Sequence, residues 1–209
     1  MNHSPAQPPE APAWPPAGLS ALARELRALA PSCGPVRLVG IDGHAGSGKS
    51  TFARALAAEL GGAPALGLDD IRSHAELFDW TERFAREVLD PLAAGRTARP
   101  AAYDWNARRF GPGPPVDPAP VVLVEGVGAG RRALRPWLAR LLWMELPPDR
   151  SWRRGRERDG VVQHDFWARW EPAEESHFAD DPSRPFAEAL VRQVPEGYEV
   201  LPGPELRAG

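Results

Sequence analysis

Val36-Arg37-Leu38-Val39-Gly40-Ile41-Asp42-Gly43-His44-Ala45-Gly46-Ser47-Gly48-Lys49-Ser50-Thr51 is the stretch on which the reading of this chain turns. Its first six residues are a short apolar run of the kind that forms a buried strand. From Gly43 to Ser50 it fits G-x-x-x-x-G-K-[ST], the pattern of a loop whose backbone N–H groups cradle phosphates. Thr51 to Leu60 (TFARALAAEL) then carries apolar residues at helical spacing, closed by Gly61-Gly62. Strand, glycine loop and helix follow in the order such a loop needs, so that loop amides and the helix N-terminus converge on one anion.

The lysine of that loop is the only lysine in the chain; every other basic residue is an arginine. Arginine serves a solvated surface equally well. A loop wrapped tightly around phosphates needs a compact ammonium on a thin stem, and a planar guanidinium is too wide for it. Lys49 thus marks a position where lysine chemistry is required. A chance match in a Gly/Ala-rich chain is the competing explanation, and the flanking strand, the helix and the lone lysine together disfavour it. Gly43, His44, Ala45, Gly46, Ser47, Gly48, Lys49, Ser50 and Thr51 are the expected nucleotide contacts, with the Ser50 hydroxyl on Mg²⁺.

Composition narrows the alternatives. The chain has 209 residues, 43% of them apolar, enough for a full core. A net charge of −3 offers no basic excess for nucleic acid. One cysteine, Cys33, rules out an internal disulfide and fits a reducing cytoplasm. No apolar stretch approaches the roughly 20 residues of a membrane helix. Residues 1–18 are proline-rich with little that could pack and are expected to form a disordered leader. Leu19 to Ala30 reads as an amphipathic helix.

Beyond the loop, elements alternate. Ala65 to Leu68 is a short strand ending in Asp69-Asp70, and His74 to Ala94 a long helical pattern broken near Pro91 and closed by Gly95. Gly111 to Pro120 (GPGPPVDPAP) reads as an exposed loop. Val121 to Val124 is a strand buried on both faces, Arg131 to Ala139 a helix, Leu141 to Leu146 another strand and Asp149 to Arg158 an arginine-rich helix. This alternation implies an α/β fold with a parallel sheet covered by helices on both faces.

In such sheets ligands bind beyond the carboxyl ends of the strands. Asp69, Asp70 and Glu125 fall there. Phosphoryl transfer needs one carboxylate on the Mg²⁺ side and another near the acceptor hydroxyl to take its proton. Two roles are open to Asp69 and Asp70: this chemistry, or capping of the following helix. The ligand crevice is favoured for Asp69, while neither role is favoured for Asp70. Arg154 and Arg158 lie four apart on one helix face and suit a mobile lid over a charged transition state. Arg150 and Arg156 fit a solvated face. Glu174, Glu175 and His177, in a Trp/Glu/His-rich tail (167–185), read as a polar helix face in preference to a metal cluster, whose geometry spacing does not establish.

Four segments carry a family resemblance: Ile41 to Thr51, Leu68-Asp69-Asp70, Val122-Leu123-Val124-Glu125-Gly126, and Arg154-Gly155-Arg156-Glu157-Arg158-Asp159. In that order, from about Val36 to Asp159, they resemble uridine kinases of the uridine kinase/phosphoribulokinase group of P-loop kinases. The likeness extends to the divergent uridine kinase-like proteins of high-GC bacteria. Phe78-Asp79, Gly95-Arg96-Thr97 and Tyr103-Asp104-Trp105 are similar to the family's nucleoside-binding segment. The resemblance implies a single kinase domain over residues 19–209, with ATP and Mg²⁺ as cofactors and a small-molecule hydroxyl acceptor. It implies a catalytic base at Asp69, a magnesium-side carboxylate at Glu125, lid arginines at Arg154 and Arg158, and acceptor contacts from Asp79 and Tyr103. The chain departs from the family where a histidine and an arginine follow the signature tyrosine by five and seven residues. Arg108 and Phe110 stand there instead. Arg108 is a permanent cation, so an acceptor bearing a carboxylate or phosphate becomes as suitable as a neutral base. A GTP-dependent switch would need a second lysine in an Asn-Lys-x-Asp motif, which the sequence lacks. A degenerate kinase kept as a nucleotide-binding regulatory protein is the remaining alternative, disfavoured by Asp69, Glu125 and the arginine pair.

Overall fold

The computed structural model describes residues 18–160 and 163–204. The leader expected over residues 1–18 lies, Gly18 apart, outside the described residues. Helix α1 (Leu19–Ala28) leads through a turn to β1 (Arg37–Asp42), the phosphate-loop segment and α2 (Lys49–Glu59). β2 (Ala65–Gly67) runs into the single-turn α3 (Leu68–Ile71). A helical stretch follows as α4 (Thr81–Phe84), a π-turn over Ala85–Leu89, and α5 (Asp90–Ala93). Then come β3 (Ala101–Asp104), β4 (Arg109–Pro112), β5 (Val121–Glu125) and β6 (Leu138–Met144). Last are α6 (Pro148–Asp159), α7 (His164–Asp180), β7 (Ala189–Val194) and β8 (Gly197–Pro202).

The main sheet has the order β2-β5-β1-β6-β7-β8. Its first five strands are parallel, and β8 returns antiparallel to β7. Alternate residues of the central strands feed two cores. Leu38, Val122 and Val124 face the layer holding Trp80, Phe84, Val88 and Leu92. Val39, Ile41, Val121 and Leu123 face Leu22, Leu26, Phe52 and Leu56 of α1 and α2. A strand apolar on both faces is thus explained by helices on both sides. With β1 between β5 and β6, the loop after β1 and the ends of β2 and β5 open at one edge of the sheet.

Several elements differ from their sequence reading. The helix expected from His74 starts only at Thr81, and Pro91 does not break it. The π-turn just before Pro91 absorbs the residue that has no N–H to offer the ladder. The Gly111–Pro120 stretch is not simply an exposed loop. Its first two residues finish β4 in a hairpin with β3, and buried Val116 bridges Ala98. Arg131–Ala139 is not an α-helix: Pro136 cannot donate into a helical ladder, so the segment makes one 3-10 turn (Arg135–Trp137) and enters β6. The β7–β8 hairpin, turned at Pro195-Glu196, was not foreseen.

Candidate active site

The loop after β1 is shaped by three glycines in backbone conformations closed to other residues: Gly43 at φ 143°, Gly46 at 83° and Gly48 at 98°. Gly46 is doubly constrained, because a Cβ there would lie 2.1 Å from the Ser151 carbonyl oxygen of α6. The Lys49 ammonium is nearly buried and donates to the Gly43 and His44 carbonyls, both at 2.9 Å. Beside the loop lies a cavity of about 480 Å³. The loop from Ala45 to Thr51 forms one wall, Asp69 and Glu125 stand at its strand ends, and His74, Trp105, Phe166 and Trp170 line the remainder.

Asp69 points its carboxylate outward, 78% exposed, with Arg72 Nε 3.4 Å away. The indole of Trp105 donates to the Asp69 carbonyl at 3.0 Å and ties the β3–β4 hairpin to this corner. Asp70 is not among the lining residues; burial, reinforced by Asp69, raises its carboxyl. Neither aspartate caps α3, whose N-cap is Gly67 with no side-chain cap bond. Burial pushes the Glu125 carboxyl up, against the pull of Lys49 and of a hydrogen bond with Ser50.

Two buried carboxylates shape the loop itself. Asp42, fully buried, accepts from the Gly43 amide (2.7 Å), the Gly128 amide (3.0 Å) and the Gly130 amide (2.8 Å). It therefore locks the start of the loop to the turn after β5. Glu174 of α7 is also fully buried and grips the loop from the opposite side. It accepts from His44 Nδ1 (2.7 Å), the Ala45 amide (3.2 Å), Trp152 Nε1 (3.2 Å) and Trp170 Nε1 (2.6 Å). An ionised carboxylate only accepts, so the His44 proton sits on Nδ1. Burial alone would raise Glu174, but the His44 hydrogen bond, Lys49 and the Trp170 indole together hold it below the usual glutamate value. Glu174 and His177 were expected on a polar face and are instead buried; Glu175 is exposed, and no metal-binding cluster occurs among the described residues. The physical reason is the helix hairpin of α6 and α7, which lays the tail against the loop, and spacing alone carries no sign of that.

The other sequence-derived residues divide. Arg158 lines the cavity, held by Asp159 at 2.6 Å. Arg154 does not line it; it donates to Gln193 Oε1 at 3.1 Å, close to Gly48. Asp79 faces a separate, open hollow with Arg131 and His177. Tyr103 stands one residue back, its hydroxyl 3.0 Å from His74 Nδ1. Arg108 is exposed in the β3–β4 turn at φ 53° and does not line the cavity. Sequence reasoning named Trp105 within the nucleoside-binding segment but passed over Arg72, His74, Phe166 and Trp170. The aromatic richness of the tail was a signal for Trp170, but not for its position.

The sequence matches no protein-family model and no curated protein. Solved structures do match. A candidate uridine kinase from Bacillus stearothermophilus superposes with a TM-score of 0.54 at 18% identity, over 75% of this chain and 93% of that one. A candidate fructose transport system kinase from a Silicibacter species does so at 0.57 and 20% identity, over 80% and 90%. With the parallel sheet, the glycine loop after β1 and the arginine-bearing helix packed on it, the chain has the fold of the P-loop kinases.

Proposed function

We propose that the chain is a kinase that moves the γ-phosphate of ATP, with Mg²⁺, to a hydroxyl of a small molecule. The observation that carries this reading is the meeting in one cavity of the Lys49 loop, Ser50 with Glu125, Asp69 and Arg158. The residues fit the groups they would hold. The loop presents amides from left-handed glycines, the buried Ser47 hydroxyl has no hydrogen-bond partner among the described residues, and Ser50 and Glu125 are hard oxygen donors suited to Mg²⁺. Bound Mg²⁺ would neutralise phosphate charge and orient the transferring group.

Asp69 is exposed, free of buried hydrogen bonds and at the cavity rim, so it is placed to take the acceptor's proton. The acceptor oxygen bonds to the γ-phosphorus, the bond from that phosphorus to the bridging oxygen breaks, and ADP leaves with the electron pair. Lys49 and the loop amides meet the charge on the phosphates, and Arg158 meets it from the lid. The Bacillus neighbour points toward a nucleoside and the Silicibacter neighbour toward a sugar; a polyol or nucleoside-like alcohol is common to both.

The test is ADP release from ATP and Mg²⁺ across nucleosides, sugars and other alcohols, with Asp69→Asn as control. Acceptor-dependent ADP release that falls about 100-fold in Asp69→Asn, with ATP affinity kept, is expected. Tight ATP binding with no acceptor-dependent release from any alcohol would overturn the proposal in favour of a nucleotide-binding regulator.

A further inference from the structure

We infer that the acceptor carries an anionic group, a carboxylate or a phosphate, and that Arg72 binds it; this rests on the kinase reading above. Arg72 is fully buried and yet lines the cavity. Its Nε donates to the Leu68 carbonyl at 3.2 Å and its Nη2 to the Val127 carbonyl at 2.8 Å. Its Nη1 is buried without a partner. The guanidinium stacks 4.8 Å from the Trp170 ring and 5.6 Å from Phe78. Two bonded nitrogens and two aromatic faces leave one donor unsatisfied among the described residues.

A buried cation calls for a counter-charge. Among the described residues the only carboxylate within 4.0 Å is the exposed Asp69. Asp42 is committed to three backbone amides, and Glu174 to His44, Ala45 and two indoles. Asp69 gives up its own charge when it takes the acceptor's proton. Asp42, Glu174 and Glu125 act on the guanidinium from farther off, yet none of them bonds Nη1. That donor's partner is therefore brought by a ligand, and an ionised oxygen on a guanidinium N–H is the strong form of that bond. Which ligand follows from position. Arg72 bonds, pairs or stacks with Leu68, Asp69, Val127, Phe78 and Trp170, and among the described residues none of its hydrogen bonds goes to the phosphate loop, so it serves the acceptor and not the nucleotide. The cation that the sequence placed at Arg108 is supplied from inside the fold.

A matched series decides it: ribose, ribonate and ribose 5-phosphate, with uridine as the neutral nucleoside. Binding is measured calorimetrically on the full chain with Mg²⁺ and a non-hydrolysable ATP analogue. Ribonate or ribose 5-phosphate should bind at least ~10-fold tighter than ribose and uridine, the scale of one charged hydrogen bond. Which anion leads separates carboxylate from phosphate. Arg72→Met should abolish the preference while leaving the affinity for the ATP analogue within about twofold, and Arg72→Lys should restore part of it. Neutral members binding the wild type as tightly as the anions would overturn the proposal, and this holds even if Arg72→Met fails to fold. An anion preference that survives in folded Arg72→Met would overturn it too. Failure to bind the ATP analogue would instead sink the kinase reading, and the same series on nucleotide-free wild type and Arg72→Met would still decide Arg72.

Discussion

At the scale of single residues, Lys49 and Glu174 work on the loop from opposite sides. Lys49 bonds two loop carbonyls from a nearly buried position, where the wider, planar guanidinium has no room. Lys49→Arg should therefore lose ATP turnover as fully as Lys49→Met; near wild-type activity in Lys49→Arg would show that charge alone suffices. Glu174 does not line the cavity but holds three groups behind its wall in place: His44, the Ala45 amide and the Trp170 indole. Glu174→Gln should lower stability by about 1.5–3 kcal/mol, the worth of hydrogen bonds to a charged group, and raise the Kd for ATP by roughly 10-fold. The pH dependence follows from the depressed carboxyl. Its contribution is complete above the ordinary glutamate value of 4.5 and is lost as pH falls through the lower folded value. The gap in stability between wild type and Glu174→Gln, read by chemical denaturation, should thus close at acid pH; a gap constant down to pH 3 would mean that shape and not charge makes the clamp.

At the scale of elements, the contact between α6 and α7 decides whether the arginine-bearing helix and the tail form one unit. Gly155 permits it: a Cβ at that position would lie 2.3 Å from the buried Trp167 ring. Alanine in a helix interior gains about 0.5–1 kcal/mol over glycine, but overpacking a buried ring costs about 1–3 kcal/mol. The second effect is the larger. Gly155→Ala should lower the melting temperature by several degrees in a thermal scan, and a rise would show that α6 can shift away freely. The β3–β4 hairpin gives the opposite case. Arg108 sits exposed at φ 53°, a conformation that favours glycine. Arg108→Gly should leave stability undiminished and the acceptor KM within about twofold. A large rise in that KM would return Arg108 to the acceptor site.

At the scale of the whole molecule, the proposed ATP site lies where loop, strand ends, α6 and tail converge, so nucleotide binding should stabilise all of them together. A ligand bound only to the folded state at 100 times its Kd adds about 2.7 kcal/mol, visible as a melting shift of several degrees. That shift should be present in the wild type and absent in Lys49→Met. The layered α/β fold and the glycine loop after β1 were legible in the chain, because both rest on local rules. Strands buried on both faces must be apolar at every residue, and a phosphate loop needs its glycines and lysine at set spacing within eight consecutive residues. Asp69 and Glu125 were legible for a related reason, since they close strands whose ends define the crevice. What only the tertiary structure decided are contacts between segments far apart in sequence. Glu174 meets His44 across 130 residues, Arg72 meets Val127 across 55, and Asp79 turns to another hollow although it lies near Arg72 in the chain. No periodicity encodes such meetings, because each depends on how the helix hairpin and the turns settle on the sheet. The sequence by itself determined the strand, glycine loop and helix; the packing of α6 and α7 onto the loop determined the shape of the cavity beside it.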